Sequence, residues 1–150
     1  MQKVRLKSDG IGTEFVFADI RSNSGYVDVR ISVDLPEEMG RWPMPMAACR
    51  LFKGDLERLL QYFRSHTKGL LDGSLSESAV FVPSEIGFQI RALDGDVESM
   101  LDGYFTIEVM INYGLRKEGY DSLYLGFSSV IDLVNLNEFC ARIEAIAIVL

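Results

Sequence analysis

"YVDVRISVDL", residues 26–35, decides the fold. Val27, Val29, Ile31, Val33 and Leu35 fall on one side, and Tyr26, Asp28, Arg30, Ser32 and Asp34 on the other. A period of two with one apolar side is a half-buried antiparallel strand. Upstream, "EFVFADI" (14–20) has strand composition, and "RSNSG" (21–25) between the two has hairpin-turn chemistry. Downstream, Pro36, Gly40, Pro43 and Pro45 break any ladder in "PEEMGRWPMPM" (36–46). Trp42, Met44 and Met46 in that loop are expected to fold back over the core. "AACRLF" (47–52) returns to strand. The opening "MQKVRLKSDG" lacks the apolar segment of a signal peptide.

The next stretch, "LFKGDLERLLQYFRSHTKGLLDG" (51–73), changes period. Leu56, Leu59, Leu60 and Phe63 recur at i, i+3, i+4 and i+7, one stripe of a helix near 55–67. Asp55 suits its cap or first turn, and Gly69 suits a left-handed stop. His66 and Lys68 then fall in the last turn, where the helix dipole favours cations by roughly 0.3–1 kcal/mol. Helix termination thus accounts for His66 without catalysis.

Strand patterns resume at 78–82, 87–93, 103–113 and 122–127. In the third, Phe105, Ile107, Val109, Ile111 and Tyr113 share a face opposite Thr106, Glu108 and Asn112. The chain closes on "NLNEFCARIEAIAIVL" (135–150), where Asn135 and Glu138 approximate a capping box. Leu136, Phe139, Cys140, Ile143, Ile146, Ala147 and Leu150 give a second amphipathic helix near 136–148. Strand runs broken by two helices, without βαβ alternation, imply an α+β fold. The expected architecture is a curved, mainly antiparallel sheet with two amphipathic helices, in a single domain spanning 1–150.

Composition narrows the function. With 150 residues and 48% apolar side chains, the chain can hold a core without metals or disulfides. A net charge of −7 argues against nucleic acid, which demands lysine and arginine, and favours encounter with a basic protein. No apolar run of about 18 residues suggests a membrane span, and a cytoplasmic location is expected. Cys49 and Cys140 stand far apart without a CxxC, as reduced thiols of the core would.

Catalytic patterns are scarce. A serine triad would have to use His66, the one histidine, and the adjacent Ser65 cannot face it along a helix. Zinc sites built on several histidines are excluded by count, and no phosphate-binding glycine loop occurs. The acidic run "ALDGDVESMLDG" (92–103) fails as a calcium loop begun at Asp94. Ser99 stands where the turn glycine belongs, and Phe105 where the bidentate glutamate belongs. No catalytic residue, metal ligand or cofactor is assigned. The run reads instead as a long hairpin loop tipped with Asp94, Asp96, Glu98 and Asp102, suited to a basic partner, with Glu37 and Glu38 as a second patch. A pair of carboxylates brought together in space would make a small enzyme of another kind, and a structural or adaptor domain is the third reading.

One resemblance emerges from longer segments. "RLFKGDLERLLQYF", then "GLLDG", "AVFVPSEIGFQIRALDGDV" and "YFTIEVMIN" together resemble bacterial immunity proteins that protect a cell from contact-delivered toxins, including wall-associated toxin systems. The likeness covers roughly residues 26–112 and is carried by Phe52, Asp55, Leu56, Leu59, Phe63, Phe81, Phe88, Asp94 and Gly95. Phe52, Gly54, Leu56 and Leu59 match the family's aromatic-glycine-leucine entry to a helix. The resemblance implies a cytosolic, non-enzymatic protein that binds and neutralises a cognate toxin, with no catalytic residues to carry over.

Overall fold

The computed structural model describes residues 1–114 and 123–150. In order, its elements are β1 (Gln2–Ser8), β2 (Ile11–Ala18), β3 (Tyr26–Asp34), a 3-10 turn (Glu37–Met39), β4 (Ala47–Phe52), α1 (Lys53–Asp72), β5 (Phe88–Ser99), β6 (Asp102–Asn112), β7 (Tyr124–Asp132) and α2 (Leu133–Val149). The fold is α+β, with antiparallel strands throughout. The strands form two sheets, β1-β2-β3-β4 and β5-β6-β7, rather than one curved sheet. Among the described residues one backbone bond, Asp9 N to Val130 O at 2.9 Å, links the rim of the first to β7.

The alternation in β3 works as its spacing demands. Val27, Val29, Ile31 and Val33 are buried while Tyr26, Asp28, Arg30 and Asp34 are exposed or nearly so. β1 obeys the same rule with Val4, Leu6 and Ser8 inward, although its lysines and arginine hide the pattern in the sequence. Both sheets turn their apolar faces to the two helices. Leu56, Leu59, Leu60 and Phe63 of α1 and Leu136, Phe139, Ile143, Ile146 and Ala147 of α2 join one core with them. Aromatic contacts tie the four layers: Phe15 of β2 meets Phe88 of β5 at 5.5 Å and Phe139 of α2 at 5.7 Å, and Phe139 meets Phe63 of α1 at 6.3 Å. Trp42 does fold back, packing edge-on to Phe127 and donating to the Tyr113 hydroxyl at 2.9 Å. Met46 of the same loop stays exposed.

Several boundaries differ from the sequence reading. α1 does not stop at Gly69. It continues to Asp72 and ends at Gly73, whose φ of 67° is the left-handed geometry glycine accepts without strain. Gly69 remains inside the helix, where Leu75 packs against its bare Cα. The expected strand at 78–82 forms only an isolated bridge, Phe81 to Ile90, and is better called a strap. Of the strand expected at 122–127, the first residue lies outside the described residues. β7 itself runs on to Asp132. There Asp132 caps α2, its Oδ1 accepting Asn135 N at 2.8 Å, in place of a box built on Asn135 and Glu138.

Candidate protein-binding face

The acidic run is not a loop. β5 continues through it to Ser99, and β6 begins at Asp102, leaving Met100 and Leu101 as the turn. The ladder absorbs the "DG" dipeptide as an irregularity between Ala92 and Gly95. Gly95 is required there because a Cβ would run into the backbone at Tyr104 and Phe105. Leu93 and Asp94 are the residues taken up by that bulge, which re-aims the side chains beyond it.

The register then sets a row across the outer face. Asp96 lies opposite Tyr104, and Tyr104 lies opposite Asp132. Directly paired residues on one face bring their Cβ atoms within about 5 Å. The tyrosine, 50% exposed, thus stands between Asp96 and Asp132, and both oxygens of Asp132 are taken up by Asn135 at the start of α2. Glu98 and Asp102 flank the exposed tip, where Leu101 is 74% exposed. Asn137 of α2 donates to Met100 O at 3.2 Å and steadies that tip. Further along the face, Arg91 is paired with Glu77 at 2.8 Å and more loosely with Glu108 at 3.9 Å. Among the described residues no salt bridge engages Asp94, Asp96, Glu98 or Asp102.

Of the residues singled out in the sequence, the structure gathers Asp94, Asp96, Glu98 and Asp102 along the β5–β6 hairpin. Glu37 and Glu38 are exposed but belong elsewhere, in the 3-10 turn that follows β3. Tyr104 and Asp132 were missed. Tyr104 was within reach, since it falls on the polar side of the β6 alternation. Asp132 was not, because it joins the row through the pairing of β6 with β7.

The other buried or central polar groups have structural work. Asp55 is buried and accepts from Phe52 N, Ser84 N, Ser84 Oγ and Arg58, at 2.7–3.0 Å. Burial would raise its pKa, but these donors more than offset that and hold it below the ordinary carboxylate value. Glu14 lies between Lys3 at 3.0 Å and Arg5 at 3.1 Å, which likewise overcome its burial and keep it ionised. Neither buried carboxylate has the raised pKa that a general acid requires. Cys49 is buried, and burial pushes the Cys140 thiol up to about 12, so Cys140 is unreactive at neutral pH. Among the described residues no group of three or more His, Cys, Asp and Glu side chains could hold a metal ion.

His66 is not a helix-end residue. It lies a turn and a half before the end of α1, fully enclosed, with both ring nitrogens hydrogen-bonded. The longer helix is the reason: the chain turns at Gly73, so the last exposed turn lies beyond His66.

No family model and no curated protein sequence matches the chain. The functional reading therefore stands on this face and on the sequence. Among the described residues no helix is long and apolar enough to cross a membrane.

Proposed function

We propose that this chain is a non-enzymatic, cytoplasmic immunity protein that neutralises a cognate bacterial toxin by binding a basic surface on it. The observation that carries the reading is the acidic outer face of β5-β6-β7, where Asp96 is paired across the ladder with the exposed Tyr104 and Glu98 and Asp102 flank the hairpin tip. Exposed carboxylates without cationic partners among the described residues can steer and hold lysines and arginines of another chain. An exposed tyrosine among them adds a flat surface on which a guanidinium can stack. A nuclease is the natural class of target, since its active surface must attract phosphate, and acids placed on that surface would exclude the substrate. The sequence resemblance to immunity proteins points the same way.

The test is growth rescue. The toxin encoded beside this chain's gene is expressed with the wild-type protein or with an Asp94→Lys, Asp96→Lys, Glu98→Lys variant. Rescue by the wild type and its loss in the folded variant is the expected outcome. Full rescue by the variant would remove this face from the mechanism, and no rescue by the wild type would remove the immunity reading.

A further inference from the structure

Two open sheets have four edges: β1 and β4 on the first, β5 and β7 on the second. A bare edge strand is a template for pairing with another chain, so edges are normally charged or covered. β1 carries Lys3, Arg5 and Lys7. On β4 the outward amides of Arg50 and Phe52 are taken by the carboxylates of Glu85 and Asp55, at 2.9 and 3.0 Å. On β5 the preceding segment lies along the edge. There Phe81 is bonded to Ile90 through both backbone groups, and Ser78 N donates to Ala92 O at 2.9 Å.

β7 is different. Residues 123–131, "LYLGFSSVI", hold no charged side chain, in a chain that is 25% charged. Leu123 O accepts from Tyr113 N at 2.7 Å, on the β6 side, and Val130 O accepts from Asp9 N at 2.9 Å, on the other side. Backbone groups alternate between the two sides of an antiparallel strand. Leu125, Phe127 and Ser129 therefore bond to β6, whereas Tyr124, Gly126 and Ser128 turn N–H and C=O away from it. Among the described residues nothing is bonded to these outward groups. The Asp9 contact closes the edge at Val130, so the open stretch is 124–128.

This open set is symmetric about Gly126. We propose that β7 pairs antiparallel with β7 of a second copy of this chain, across a two-fold axis at Gly126, joining two three-stranded sheets into one. Tyr124 of each copy exchanges both backbone bonds with Ser128 of the other, and the two Gly126 residues exchange theirs. Every open group is used, and none that is already bonded is needed. The same register sets Leu125 of each copy against Phe127 of the other on the inner face. Leu125 is 36% exposed and Phe127 only partly buried in the single chain, so the pairing covers apolar surface that the fold leaves open.

Charge favours a second copy over a basic partner at this edge. A basic strand is drawn by carboxylates, and 124–128 offers none. In the two-fold register no like charges meet along the ladder. The interface is small, below the roughly 1,200 Å² of stable complexes, so the dimer forms and dissociates with concentration. Each copy carries a net charge of −7, and salt that screens this long-range repulsion strengthens the pairing. The inference rests on strand geometry and does not depend on what the acidic face binds.

Sedimentation equilibrium over roughly a hundredfold range of concentration, with amide hydrogen exchange at both ends of it, tests the dimer. The mass should rise from monomer toward dimer, and rise further at high salt. The amides of Tyr124, Gly126 and Ser128 should exchange freely in dilute solution and slow about tenfold once about nine chains in ten are paired. Those of Leu125 and Phe127, bonded to β6, should be protected throughout. Ser128→Pro removes an outward donor and no ladder bond, so it should fold and stay monomeric. Should it fail to fold, Leu125→Lys serves in its place, since it would bring a charge into the shared apolar contact. A monomer mass at every concentration would overturn the proposal. So would a dimer that the folded variant still forms, or one in which the three outward amides exchange freely. Protection of those amides by polylysine, in a chain that stays monomeric, would also overturn it and assign the edge to a basic partner.

Discussion

The outer face of β1-β2-β3-β4 carries its carboxylates in pairs, whereas the outer face of β5-β6-β7 leaves most of its own alone. On the first, Glu14 answers both Lys3 and Arg5, Asp34 answers Arg5 at 2.7 Å, and Asp28 answers Arg50 at 2.8 Å. Lys7 and Arg30 add positive charge beyond those pairs. On the second, among the described residues, Arg91 is the paired cation, and Asp96, Glu98 and Asp102 have no ion pair. A chain with a net charge of −7 has therefore not spread its acid evenly. Most acids of the first outer face sit with cations, whereas Asp96, Glu98 and Asp102 of the second do not. The difference separates two roles for one residue type, and substitution can break it apart.

The largest effect should come from an acid wholly committed to the fold. Asp55→Ala leaves the amide of Ser84 and the Arg58 guanidinium without their shared acceptor and should cost about 3 kcal/mol or more in chemical denaturation. A loss near zero would mean that hydrogen-bonded burial is no guide to which acids support folding. The Asp94→Lys, Asp96→Lys, Glu98→Lys variant should behave in the opposite way. Its stability should stay within about 0.5 kcal/mol of wild type, while association with the toxin at low salt slows roughly tenfold. Unchanged association kinetics would make this face merely a solvated one.

The smallest effect belongs to Glu14. Its folded-state pKa is lowered, so its contribution is complete above its unfolded value of about 4.5 and is lost as pH falls through the folded value. Glu14→Gln should therefore cost about 1 kcal/mol at pH 7 and nothing once the pH lies below both values. Thermal melts of the two proteins should accordingly converge as the pH is lowered stepwise from about 7. A gap that persists at low pH would assign the effect to packing instead of charge.

Much of the architecture was legible. The period-two pattern at Tyr26–Asp34 and the alternation from Phe105 to Ile111 gave their strands, and the leucine stripe gave α1, because side-chain periodicity is a local property. β1 went unread because cations on its exposed side look like a polar terminus. The hairpin was misread as a loop because "DG" usually marks a turn, and here a bulge accommodates it inside the ladder. The residue types of the binding face were visible as an acidic run, but the row through Tyr104 was not. Which carboxylates flank that tyrosine depends on register between strands, and Asp132 lies 28 positions from Tyr104 in the chain. His66 shows the same limit: its partners, Ser78 and Leu93, belong to other segments.

Within each sheet every strand pairs with its neighbour in sequence. This order has a consequence in time. Closing a ladder between adjacent strands fixes little chain, so each meander can assemble from hairpins on a fast, local schedule. The contacts that span the molecule, Phe15 with Phe88 and Phe139 with Phe63, depend on segments from opposite halves of the chain. Folding should then be limited by the meeting of two partly formed meanders around the helices, with the aromatic cluster closing late. Phe139→Leu should mainly speed unfolding and Val29→Ala should mainly slow folding, and a chevron in which these roles are exchanged would reverse the order of assembly.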